Sequence, residues 1–139
     1  MNRTKSKIKG LGEIAFRVND LDAMQTFYSE VVGLPLLKRF DNTAFFKISD
    51  GIEGHTEVLA LFDRSDEAGY IGPDRTKTTV DHIAFVISQQ DFVAEQERLQ
   101  AHGLKVDTSE HGWVHWRSLY INDPEGNRVE WVCYDPDVQ

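Results

Sequence analysis

The chain has a single cysteine, Cys133, among its 139 residues. One cysteine allows no intramolecular disulfide and fits a reducing compartment, so a cytoplasmic location is expected. Basic residues are in deficit. With 15 Lys and Arg against 23 Asp and Glu, the net charge is −8. No basic patch offsets that balance, so no nucleic-acid partner is expected. Long apolar runs are also missing. Nothing approaches the ~20 residues of a membrane span, and no apolar run follows Arg3, Lys5, Lys7 and Lys9 as a signal peptide requires. Those four residues read as a solvated tail. What remains is ordinary for a soluble globular protein: 40% hydrophobic, 27% charged, and long enough for one domain with a sizeable core.

Residues 12–19 alternate. Ile14, Phe16 and Val18 fall on one face, with Glu13, Ala15 and Arg17 on the other, which predicts a strand. Asp20 offers an N-cap for an amphipathic helix over 21–32, whose apolar positions are Leu21, Met24, Phe27, Tyr28, Val31 and Val32. Gly33 closes it and Pro35 blocks continuation. Strands are expected at 36–40, 44–48 and 56–62. Residues 63–79 are polar, contain Gly69, Gly72 and Pro73, and have no sustained period, so they read as a connection.

The pattern then restarts. A strand is expected at 80–87, a helix at 91–101 capped by Ser88, and a closing Gly103. A short strand at 104–108 precedes a hairpin with strands at 113–122 and 128–134 around the turn Asp123-Pro124-Glu125-Gly126-Asn127. Strand–helix–strand–strand–strand thus occurs twice, and a repeated order of elements outweighs any single motif. On the last strand Glu130 shares a face with Val132 and Tyr134, while Trp131 and Cys133 face the other way. A carboxylate in a strand otherwise suited to burial needs a compensating charge. Arg117, Arg128 or a metal cation could supply it.

Three stretches carry a family resemblance. GEIAFRVNDLDAMQTFYSEVVGL (12–34) resembles the opening βα unit of the vicinal oxygen chelate superfamily, VDHIAFVIS (80–88) the start of its second module, and SLYINDPEGNRVEWV (118–132) its closing hairpin. That superfamily includes glyoxalase I, extradiol ring-cleaving dioxygenases, fosfomycin resistance proteins and bleomycin-binding proteins. The likeness spans nearly everything outside 1–9 and 63–79. It implies an α+β fold of two tandem βαβββ modules, about 10–63 and 80–135, joined by a connection at 64–79 within one domain, 1–139. In such folds a curved mixed sheet encloses a metal and substrate cleft, and a homodimer is the usual assembly.

The resemblance also implies a site. The first and last strands of each module point side chains into the cleft, which nominates Glu13, Glu57, His82 and Glu130 as metal ligands. Val58 competes with Glu57 for the position matching Glu130, because a one-residue slip turns the side chain to the other face. One imidazole with two or three carboxylates suits a divalent ion such as Zn, Ni, Mn, Co or Fe. Glu13 stands where the family most often has His, or Gln in some glyoxalases, and is expected to ligate or to act as a base. His111, Leu119, Tyr120, Asp123, Pro124, Gly126 and Glu130 fit most of the extradiol dioxygenase signature, with Ser109 as a departure from it. His111 is therefore a candidate acid–base residue, against the alternative of an exposed loop histidine. His115 shares strand parity with Arg117 and is a third catalytic candidate. Trp116 and Tyr120 have the opposite parity.

Three functions follow from the resemblance. The first is a glyoxalase-like lyase or isomerase whose metal acts as a Lewis acid on a small substrate chelated through adjacent oxygens. The second is an Fe(II) extradiol dioxygenase, with Glu13 in place of a histidine counting against it. The third is a non-catalytic antibiotic-binding or resistance protein, in which Trp113, Trp116, Trp131 and Tyr120 stack on a planar ligand.

Overall fold

The computed structural model describes residues 5–139. Arg3, the head of the expected basic tail, lies outside the described residues, and Lys5, Lys7 and Lys9 are exposed. The chain divides into two compact units on either side of the Gly72–Pro73 bond. Each is a βαβββ module, and together they give the expected α+β class.

Module one contains β1 (Glu13–Val18), α1 (Leu21–Thr26), β2 (Leu36–Arg39), β3 (Thr43–Asp50) and β4 (Thr56–Asp63). Its sheet order is β1-β4-β3-β2, with β1 parallel to β4 and the other pairs antiparallel. Val18, Ala44, Phe46, Leu59 and Leu61 are fully buried, and α1 packs against β3 and β4. Asp20 caps α1 as expected, its Oδ1 accepting from the Ala23 N–H at 3.1 Å. The expected helix over 21–32 is not uniform. Beyond Thr26 it widens into a π-helical turn, Phe27–Val32. There the Tyr28 carbonyl accepts from the Gly33 N–H at 3.1 Å and the Leu34 N–H at 2.9 Å. The wider turn buries Phe27 and Tyr28 together, edge to face at 5.4 Å. Gly33 ends it at φ 89°, the left-handed conformation that glycine adopts without a Cβ penalty.

Module two contains β5 (His82–Val86), α2 (Phe92–Ala101), β6 (Asp107–His111), β7 (Trp116–Asn122) and β8 (Arg128–Tyr134). Its order, β5-β8-β7-β6, and its pattern of parallel and antiparallel pairs repeat those of module one. Ile83, Leu119, Ile121, Val129, Trp131 and Cys133 form the core face, with Phe92 and Leu99 of α2. The turn between β7 and β8 is held by Asp123. Its Oδ1 accepts from the N–H groups of Glu125 and Asn127, both at 2.9 Å, and its Oδ2 from Asn127 Nδ2 at 2.8 Å. Gly126 supplies φ 85°.

Three local expectations need correction. The strand after α2 is 107–111 rather than 104–108, because the half-buried positions Asp107, Ser109 and His111 set its register against β7. Ser88 makes no side-chain cap, since a 3-10 turn, Gln89–Asp91, leads into α2 instead. The strand expected to begin at Trp113 begins at Trp116, after a 3-10 turn over Gly112–Val114 and a left-handed His115 at φ 59°.

Candidate functional site

The site is built on the face of the module-two sheet opposite its core. Cross-strand register puts Ala84, Glu130 and Tyr120 in one row, and Arg128 beside His82 in the row before it. Glu130 is only 5% exposed. His82 opens β5, and its Nε2 lies 3.2 Å from Glu130 Oε1. Both groups are held from behind. Asp81 Oδ1 lies 2.6 Å from His82 Nδ1, which donates to it. Ser118 is fully buried and donates its hydroxyl to Glu130 Oε2 at 2.6 Å. Neither arginine compensates Glu130. Arg117 lies on the core side, over the Phe92 ring at 4.3 Å and 3.5 Å from Asp135. Arg128 lies over Tyr120 at 4.9 Å and donates to Asp107 at 2.7 Å. That bond holds the Asp107 carboxyl below its ordinary pKa, with nearby Lys105 helping.

This donor pair suits a divalent ion. Ligand atoms that share an ion at ~2.0–2.2 Å must themselves lie about 3–3.5 Å apart, as Nε2 and Oε1 do. The carboxylate behind the imidazole fixes its tautomer, a support that metal-ligating histidines commonly have. Among the described residues no group of three or more His, Cys, Asp or Glu side chains is drawn together for a metal, so the pair needs a further donor.

The other nominated residues are placed as follows. Glu13 opens β1 and is exposed, opposite Val58 in the ladder. Glu57 is engaged in module one. Its Oε1 accepts from the Leu11 N–H at 3.2 Å and its Oε2 from the Ser49 hydroxyl, across from which a bulge in β3 sets it. Counting from Glu13 and His82, the ladder position of Glu130 falls in module one on buried Ala60, paired with Ala15. His111 is not a loop residue. It ends β6, half-buried, with Nε2 3.1 Å from Ser109 Oγ and 3.2 Å from the Tyr120 hydroxyl. His115 does not share a parity with Arg117, because its left-handed backbone lies outside the strand. It donates from Nδ1 to the Val138 carbonyl at 2.6 Å, pinning the last residues of the chain. Trp131 is buried in the core, whereas Trp113 and Trp116 are exposed and 6.3 Å apart.

Sequence reasoning missed Ser118 and Asp81. Ser118 stands two residues before Tyr120 and therefore shares its face, a signal readable once Glu130 faces that way. Asp81 directly precedes His82.

Comparison with known proteins decides the family. Residues 10–131 match the family model for the Glyoxalase/Bleomycin resistance protein/Dioxygenase superfamily. The chain belongs to that superfamily. Among its curated relatives, glutathione transferase FosA of Serratia marcescens is 28% identical over 88% of this chain and 79% of its own length. Catechol-2,3-dioxygenase of Bacillus subtilis is 26% identical over 91% of this chain, which spans only 42% of that relative. A crystal structure of lactoylglutathione lyase from Agrobacterium tumefaciens superimposes with a TM-score of 0.65 at 27% identity, covering 92% of this chain and 96% of that one. These superfamily members have different reactions, so membership gives the fold and leaves the chemistry to the site.

Proposed function

We propose that this chain is a metal-dependent enzyme of the superfamily's lyase, isomerase or transferase kind, acting on a small substrate that offers two adjacent oxygens. The observation that supports this most is the facing pair of His82 Nε2 and Glu130 Oε1, each braced from behind. These two side chains would hold the ion, and a further donor would complete its coordination. A divalent cation bound there supplies Lewis acidity to substrate oxygens. The chain's own residues do the remaining work. Asp81 keeps the His82 Nδ1 proton, so the Nε2 lone pair stays available. Ser118 occupies Oε2 and leaves Oε1 free to bind. His111 and Tyr120 hold and move protons on the same sheet face. Glu57 and His115 serve instead to tie down chain segments. Relatives named as a glutathione transferase and a lactoylglutathione lyase fit this class.

The hydrogen-bonded His111 and Tyr120 favour a second reading, an extradiol dioxygenase with Fe(II), for which the catechol-2,3-dioxygenase relative also speaks. A cytoplasmic homodimer is our expectation for either. Among the described residues no helix is long and apolar enough to cross a membrane. Elemental analysis of protein purified without added metal, paired with oxygen uptake on catechols, tests the proposal. Zinc, nickel, manganese or cobalt without oxygen uptake supports it. Iron with uptake replaces it by the dioxygenase, and no bound metal leaves a binding module.

A further inference from the structure

We propose that Ser109 is a positioning residue for His111, holding it as the Nδ1–H tautomer with Nε2 as the basic nitrogen. This rests on the reading above in which His111 and Tyr120 handle protons. Ser109 is also the position at which the chain departs from the dioxygenase signature.

Three polar atoms close a triangle on the sheet face that carries Glu130. Ser109 Oγ is 2.8 Å from the Tyr120 hydroxyl and 3.1 Å from His111 Nε2, and the Tyr120 hydroxyl is 3.2 Å from the same Nε2. The register places the triangle beside the proposed ligand. Tyr120 pairs with Glu130 across β7 and β8, and Ser109 pairs with Ser118, the serine that holds Glu130, across β6 and β7.

Counting protons orients the triangle. Each hydroxyl brings one proton. With Nε2 unprotonated, Tyr120 donates to Ser109 Oγ and Ser109 donates to Nε2. Both protons then lie in the two shorter contacts, and the longest contact is left without one. With Nε2 protonated in a neutral ring, that nitrogen can no longer accept, and one hydroxyl proton, of Ser109 or of Tyr120, is left without an acceptor in the triangle, although both residues are half-buried. The first pattern uses every proton, so the serine sets the tautomer through the bond it makes to one ring nitrogen. It also completes a path from Tyr120 through Ser109 to His111. A proton passed along it leaves the tyrosine oxygen, enters the serine oxygen as the serine proton leaves, and arrives on Nε2, with no other reactant needed.

The test is side-chain ¹⁵N NMR of His111 in metal-free protein, at a pH where the ring is neutral, for the wild type, Ser109→Ala and Ser109→Thr. The wild type should show the Nδ1–H form as the major tautomer. Ser109→Ala should shift His111 toward the Nε2–H form that free imidazoles favour in water, and Ser109→Thr, which restores the hydroxyl, should return it. Thermal melts confirm that the variants stay folded. A folded Ser109→Ala with an unchanged tautomer, a wild type already in the Nε2–H form, or a folded Ser109→Thr that behaves like the alanine variant overturns the proposal. No metal or substrate enters this measurement, so its outcome is independent of whether the metal reading stands.

Discussion

At the scale of single residues, the proposed chemistry rests on Glu130 and its neighbours. A carboxylate 5% exposed in a strand must be satisfied by its surroundings; Ser118 donates to Oε2, while Oε1 faces the Nε2 lone pair of His82, where a cation would satisfy both. Removing the serine hydroxyl leaves Oε2 buried without its donor. Ser118→Ala should therefore weaken divalent metal binding about 10–100-fold, the usual effect of losing a bond behind a ligand. It should also cost about 1–3 kcal/mol of stability in urea. Calorimetric metal titration and chemical denaturation check the two effects, and unchanged affinity would mean that Ser118 serves packing alone. At this scale the alternation of β8 made the direction of Glu130 legible. The partners were not, because strand adjacency is long-range information. His82 came only through the family resemblance. His115 was misread because a left-handed non-glycine residue cannot be foreseen from parity, which assumes an unbroken strand.

Among the elements, β6 shows most clearly what sequence reasoning can and cannot reach. Asp107-Thr108-Ser109-Glu110-His111 is polar throughout, so no hydrophobic alternation announces a strand, and the strand begins later than the apolar Leu104 and Val106 suggest. Polar residues suit it because its half-buried face carries the hydrogen bonds of Ser109 and His111 to Tyr120 rather than core packing. The strand is tied to the hairpin by Arg128, whose bond to Asp107 lowers the Asp107 pKa. A carboxylate with a lowered native pKa adds stability above its unfolded value of ~3.9 and loses that contribution as pH falls through the native value. Asp107→Asn should thus be less stable than the wild type near neutral pH and should converge with it in strong acid. Urea midpoints measured across that range check this, and a gap that persists into strong acid would contradict it. The long polar connection, the capped first helix and the β7–β8 turn were all legible, because Gly, Pro and Asp act locally. The π-helical turn was not, since burial of Phe27 and Tyr28 decides it.

For the whole molecule, the repeat of strand, helix and three strands carried the fold, and the shared strand order of the two sheets bears it out. The modules differ at the position of the proposed ligand. Module two has a carboxylate at the ladder position where module one has Ala60, and Glu57 binds the segment before β1. The central expectation is that His82 and Glu130 bind one cation. The direct measurement is metal stoichiometry by calorimetric titration of the wild type, His82→Ala and Glu130→Gln. We predict one divalent ion per chain in the wild type and at least a tenfold loss of affinity, of the order expected for a lost ligand contact, in either variant. Full occupancy with unchanged affinity in a folded His82→Ala protein would contradict it.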